Sequence, residues 1–160
     1  MKDKVIARAD LPQWLAQCRA KGHRIVFTNG CFDLMHIGHT RYLKAARQMG
    51  DVLVVGVNSD ASVRALNKGK TRPIVPEQQR AEVLAALACV DLVVLFNEPD
   101  PARLIAEVQP DVLVKGGDWA IDQIIGRDVI EARGGKVRTI PLIPNVSTSS
   151  LIAKIRSGKD

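Results

Sequence analysis

The stretch Ile25-Val26-Phe27-Thr28-Asn29-Gly30-Cys31-Phe32-Asp33-Leu34-Met35-His36-Ile37-Gly38-His39 passes from apolar to polar within a few residues. Ile25-Val26-Phe27 reads as a short strand. It shows no polar alternation, so both of its faces are covered. A polar segment, 28–33, leaves that strand, and His36-Ile37-Gly38-His39 opens a helix expected over 40–49, stopped by Gly50. Four more apolar runs follow: Val52-Leu53-Val54-Val55-Gly56-Val57, Leu92-Val93-Val94-Leu95-Phe96, Val112-Leu113-Val114 and Val137-Arg138-Thr139-Ile140. Helices are expected between and around them at 11–20 (capped by Asp10), 77–89, 101–108, 121–133 and 151–155. Strands alternating with helices over this length predict an α/β fold, a Rossmann-like, doubly wound, five-stranded parallel sheet with helices on both faces. The basic interruption 67–76 reads as a mobile loop.

Composition narrows the class. In 160 residues, 46% are hydrophobic and 25% charged, which excludes collagen-like, coiled-coil and disordered chains. Aromatic residues are only 4%, too few to stack a single-stranded nucleic acid, so no nucleic-acid partner is expected. The net charge of +6 suits an anionic ligand. Three cysteines at 18, 31 and 89 show no CxxC spacing and read as free thiols in a reducing, cytoplasmic setting. Neither a signal peptide nor a membrane span is apparent, so no membrane partner is expected.

In open parallel sheets, ligands sit beyond the carboxyl ends of the strands. The segments that leave each strand are therefore the candidate site. His36 and His39 share a helical face at spacing i, i+3, and the helix N-terminus beside them favours an anion. Gly38 leaves room for a ligand to approach. A zinc site would need further cysteine or histidine ligands nearby, so a metal-binding pair is the weaker alternative. Arg64, Lys68, Lys70 and Arg72 form a basic arm suited to a triphosphate, or else an ordinary solvated loop. Arg80 opens a helix, where a cation is badly placed for the dipole, and a ligand phosphate would explain it. His23 precedes the first strand, at the opposite end, and reads as structural.

Asn29-Gly30-Cys31-Phe32-Asp33 followed by His36-Ile37-Gly38-His39, with Ser147-Thr148-Ser149 opening the last helix, resembles the signatures of the cytidylyltransferase-like nucleotidyltransferases. Val57-Asn58-Ser59-Asp60-Ala61-Ser62, Arg72-Pro73, Gln79-Arg80 and Val114-Lys115-Gly116-Gly117-Asp118 extend the likeness to the adenylyltransferase domain of the bacterial ADP-heptose synthases, from about 24 to 156. Cys31 stands where relatives often carry Val or Thr, and Ser149 where Thr is usual. The resemblance implies a single nucleotidyltransferase domain over 1–160, with 1–23 a helical extension and 24–157 the catalytic core. It is too short to hold the sugar kinase fused to this domain in many bacteria.

The resemblance further implies transfer of AMP from ATP to a heptose 1-phosphate for the lipopolysaccharide core. Magnesium is expected as a cofactor held mainly by phosphates and water, with no protein metal site. Catalysis falls to His36, His39, Lys70 and Arg80. Thr28, Asn29, Gly30, Cys31, Phe32, Gly38, Lys68, Lys115, Gly117, Asp118, Val146, Ser147 and Thr148 would hold the nucleotide. Asp33, Asn58, Asp60, Arg72 and Trp119 would meet the sugar phosphate, though helix packing is the alternative for Trp119. Asp33 could instead support a histidine or hydrated magnesium. A homodimer is the expected assembly. A cytidylyltransferase acting on glycerol 3-phosphate or a similar polyol phosphate, and a non-catalytic anion- or RNA-binding module, are the competing readings.

Overall fold

The computed structural model describes residues 3–66, 69, 71–117 and 119–158. The apolar runs form the strands. They are β1 (Ile25–Gly30), β2 (Val52–Asn58), β3 (Leu92–Phe96), β4 (Val112–Gly116) and β5 (Lys136–Ile140). All pair in parallel, in the order β3-β2-β1-β4-β5. Ile25 lies opposite Val52 on one side, and Val26 opposite Val112 on the other, so β1 is central. All seven residues of β2 are buried, as an uninterrupted apolar run requires.

The helices are α1 (Leu11–Ala20), α2 (Ile37–Arg47), α3 (Asp60–Ala65), α4 (Glu77–Ala85), α5 (Ala102–Val108), α6 (Arg127–Ala132) and α7 (Thr148–Ser157). Strand side chains alternate between two cores. Ile25, Phe27, Val54 and Leu113 pack with Leu11, Leu15, Leu104, Ile105 and Ile130, so α1, α5 and α6 cover one face. Val26, Leu53, Val55 and Val114 pack with Leu43, Ala46, Ala81 and Leu84, so α2 and α4 cover the other. From β1 the chain steps outward to β2 and β3 along the second face. It then returns to β4 along the first. The direction reverses between β1 and β4, and there the sheet opens a crevice at its carboxyl edge. Among the described residues no helix is long and apolar enough to cross a membrane. The three cysteines form no disulfide.

Helix ends differ from expectation because of capping. α2 begins at Ile37, since His36 itself is the N-cap and its ring accepts from the Gly38 N–H. α7 begins at Thr148 behind a capping box of Ser147 and Ser150 and runs to Ser157. The expected helix at 121–133 is broken. A 3-10 turn, Ile121–Gln123, precedes Gly126 at φ 87°, and only then does α6 start. A side chain at 126 would also meet Ile105 at 2.9 Å. α4 stops at Ala85, four residues before the expected end, in a run of turns. Asp10 makes no side-chain cap; a 3-10 turn, Arg8–Asp10, leads straight into α1. The six-residue α3, capped by Ser59 Oγ accepting from the Ser62 N–H, was not expected. Of the loop expected at 67–76, Asn67, Lys68 and Lys70 lie outside the described residues.

Candidate active site

The crevice between β1 and β4 is a cleft of about 700 Å³. His36 and His39 stand in its lining, at the start of α2. Their rings stack, centroids 3.8 Å apart and 22° from parallel, and Phe32 meets His39 edge-on at 5.4 Å. The Gly38 N–H donates to His36 Nδ1 at 3.1 Å. That bond leaves the proton of the neutral ring on Nε2, which makes His36 a donor there. The same contact explains Gly38, since a Cβ at this position would lie 2.8 Å from the His36 ring. Burial pushes the His36 pKa down. Burial first, and His36 second, push His39 down to about 4. Both rings are therefore neutral near neutrality. His39 Nδ1 is buried without a hydrogen-bond partner.

The N-terminus of α7 stands in the same cleft, with Val146, Ser147, Thr148 and Ser149 in the lining and Val146 close to Gly38. Ser147 Oγ takes the Ser150 N–H, and the other first-turn N–H groups and the helix dipole favour negative charge. Thr148 Oγ1 donates to the Asp33 carbonyl at 2.6 Å and so ties α7 to the turn that leaves β1. In that turn Phe32 and Leu34 adopt φ of 49° and 53°, conformations disfavoured for side-chain-bearing residues and common at ligand sites. Lys115, at the end of β4, donates to Asn29 Oδ1 at the end of β1.

The acidic and arginine candidates do something other than expected. Asp33 is buried, with its side chain fully enclosed. Its Oδ2 accepts from Arg72 Nε at 2.6 Å and the Ile74 N–H at 2.9 Å, and its Oδ1 from the Val75 N–H at 2.9 Å. Burial opposes the carboxylate's charge. The two amides and Arg72 outweigh it and hold the pKa below the ordinary aspartate value. Asp33 thus anchors the far end of the basic loop.

Arg80, expected to meet a phosphate, is 1% exposed. Its guanidinium donates to the carbonyls of Val75, Asn58 and Cys31 and to Asp60 Oδ1. It is a buried tie between the ends of β1 and β2 and the basic loop. The reason it opens a helix is this tertiary network. Asp60 is turned to Arg80 and does not line the cleft.

Most of the expected site residues do come together. Asn29, Gly30, Cys31, Phe32, Asp33, His36, Gly38, His39, Asn58, Arg72, Lys115, Trp119, Val146, Ser147 and Thr148 all line the cleft. Trp119 lines the cleft and is 48% exposed, so it is not part of the core. Thr28 is not in the lining. It is fully buried in the sheet, with its hydroxyl 2.7 Å from the Tyr42 hydroxyl. Gly117 also turns away, its N–H donating to the Ile140 carbonyl at 2.8 Å. Lys68, Lys70 and Asp118 lie outside the described residues.

Sequence reasoning missed Tyr42, which lines the cleft and donates to the Val114 carbonyl, and the wall formed by Pro99, Asp100 and Pro101. Both had a signal. Tyr42 stands three residues after His39 on the same helical face, and the wall directly follows β3.

A family model described as cytidylyltransferase-like matches residues 27–154. The chain belongs to the cytidylyltransferase-like family. Membership marks it as a nucleotidyltransferase. It is 54% identical over 99% of its length to the bifunctional protein HldE of Rhodopseudomonas palustris, of which it covers 32%. It is also 54% identical over 89% of its length to bifunctional protein HldE of Citrifermentans bemidjiense, covering 29% of that protein. The chain thus spans about a third of the length of the curated relatives it matches.

Among solved structures, a lipopolysaccharide core biosynthesis protein from Thermoplasma volcanium superposes with a TM-score of 0.64 at 33% identity, covering 76% of this chain and 98% of that one. A pantoate-β-alanine ligase from Francisella tularensis, solved with β,γ-ATP and β-alanine, shares the fold at a TM-score of 0.55 and 16% identity, covering 98% of this chain and 80% of that one. The family match begins inside β1, at residue 27, so residues 3–26, including α1, lie outside it.

Proposed function

We propose that the chain transfers AMP from ATP to D-glycero-β-D-manno-heptose 1-phosphate, giving ADP-heptose and pyrophosphate, in a bacterial cytoplasm. The observation that carries the chemistry is the stacked, neutral imidazole pair sharing one cleft with the N-terminus of α7. The substrate assignment is supported by the 54% identity to bifunctional HldE proteins and the likeness to a lipopolysaccharide core biosynthesis protein.

In this reading an oxygen of the sugar phosphate attacks the α-phosphorus of ATP. The bond from that phosphorus to the bridging oxygen of pyrophosphate breaks, and its electron pair leaves with pyrophosphate. The nucleophile is already an anion, so no general base is required. What the protein supplies is placement and compensation of negative charge. His36 donates from Nε2. His39, stacked against it in the cleft lining, presents the second imidazole to the phosphates. α7 contributes its helix end and Lys115 a cation at the end of β4, and the sequence reading adds Lys68 and Lys70 as further cations. Arg72 stays with Asp33 as part of the wall.

Among the described residues no three His, Cys, Asp or Glu side chains gather as a metal site, and the carboxylates of Asp33 and Asp60 are each bound to an arginine. A magnesium ion carried in by triphosphate oxygens and water would neutralise phosphate charge in this reaction. The resemblance also predicts a homodimer, which sedimentation equilibrium tests directly.

Pyrophosphate release is the deciding assay, with ATP or CTP paired with heptose 1-phosphate or glycerol 3-phosphate. Release with ATP and heptose 1-phosphate alone is the expected result. Release with CTP and glycerol 3-phosphate instead would replace this reading, and release with no pair would remove it.

A further inference from the structure

We propose that Arg8 is a positioning residue for the cleft, acting through the wall at residues 97–101. The proposal rests on the transferase reading above. Arg8 lies outside the family match, in the 3-10 turn before α1. Its Nη1 donates to both oxygens of Glu98, at 2.7 and 2.9 Å. Its Nε and Nη2 meet the two oxygens of Glu107 on α5, at 2.7 and 3.1 Å. One planar guanidinium therefore grips both sides of the connection from β3 to α5, a geometry that a point-charge lysine cannot reproduce. Between the gripped positions lie Pro99, Asp100 and Pro101, all in the cleft lining.

The same connection is held from inside. Ser62 Oγ donates to the Glu98 carbonyl at 2.8 Å and accepts from Asn58 Nδ2 at 2.9 Å, and Asn58 lines the cleft. Among the described residues the other cation at this pair is Arg103, whose Nε lies 3.2 Å from Glu107 and 3.9 Å from Glu98 but which is 75% exposed, a weak substitute. Arg8 itself is firmly mounted. Its segment pairs with β3 through the Ile6 N–H to the Val93 carbonyl and the Val93 N–H to the Lys4 carbonyl, and α1 behind it buries Leu11 and Leu15. Without Arg8, Glu98 and Glu107 keep only the exposed Arg103 between them. Their mutual repulsion would then push the wall out of place, beside a site that must accept polyanions.

The test compares the full-length protein with Arg8→Ala, Glu98→Gln and the double variant. Two readouts are taken: amide hydrogen exchange, and KM and kcat for both substrates. In Arg8→Ala, exchange should accelerate roughly tenfold at 97–102 and stay unchanged in β1, β2 and β4. KM for at least one substrate should rise roughly tenfold, with kcat within about twofold. The double variant should be no worse than the poorer single one, because both remove the same link. Unchanged exchange at 97–102, a uniform rise over the whole molecule, or unaltered KM beside faster local exchange would each overturn the proposal. A wild-type protein with no transfer activity would overturn the transferase reading alone, and exchange would then decide the role of Arg8.

Discussion

His36 serves two purposes with two different nitrogens. Nδ1 accepts the Gly38 N–H and caps α2, while Nε2 is left to donate into the cleft. The purposes can be separated. Asparagine is a good N-cap but has no group at the Nε2 position. His36→Asn should therefore melt close to wild type yet lose roughly 10²–10³ in kcat, the usual cost of one transition-state donor. His39→Ala should lose about as much kcat by the same measure. Comparing melting curves with turnover for both variants checks this.

His39 also sets an acid limit. Its folded pKa of about 4 lies below the ordinary 6.5. Between those values the unfolded chain takes up a proton that the folded chain refuses. The stability it contributes is present above about pH 6.5 and is lost as pH falls through about 4. Urea midpoints measured across that window should fall, and fall less in His39→Gln.

α7 is an element held at its ends. None of its residues is buried. Its attachments are the Ser147–Ser150 capping box, Thr148 on the Asp33 carbonyl, and Arg156 Nη2 donating to Thr71 Oγ1 at 2.9 Å. Ser147→Ala should cost the helix about 1 kcal/mol. Since nothing in the core depends on α7, the melting temperature should hardly move. KM for the nucleotide should rise, because the frayed turn is the one facing the cleft. Steady-state kinetics and calorimetry on the same sample check the pair.

At this scale the strands were legible, since each was an uninterrupted apolar run bounded by polar residues. Helix boundaries were less so, because they depended on caps such as His36 and Ser147 whose side-chain bonds are geometric facts. α3 escaped notice because six residues carry too little periodicity, and Gly126 broke a helix that its apolar pattern alone would have continued.

At the scale of the whole molecule, alternation of strands and helices implied a parallel sheet, and the rule for open sheets located the cleft. Strand order was not legible, nor was the fate of an arginine at the start of a helix. Arg80 shows why. The carbonyls of Cys31, Asn58 and Val75 converge on it only after three distant segments have folded together. Arg80→Leu would leave those carbonyls and Asp60 without their partner, a loss of about 3–5 kcal/mol and roughly 10 °C in melting temperature. Differential scanning calorimetry measures this, with loss of activity expected to follow the loss of fold.

The polar framework under the cleft contrasts with the last helix, which leans on it from outside. A protease specific for basic residues should consequently nick the empty protein first at Lys154 or Arg156, and a tightly held nucleotide should shield those bonds. The carboxy-terminal end would then serve as a built-in gauge of occupancy, readable on a gel.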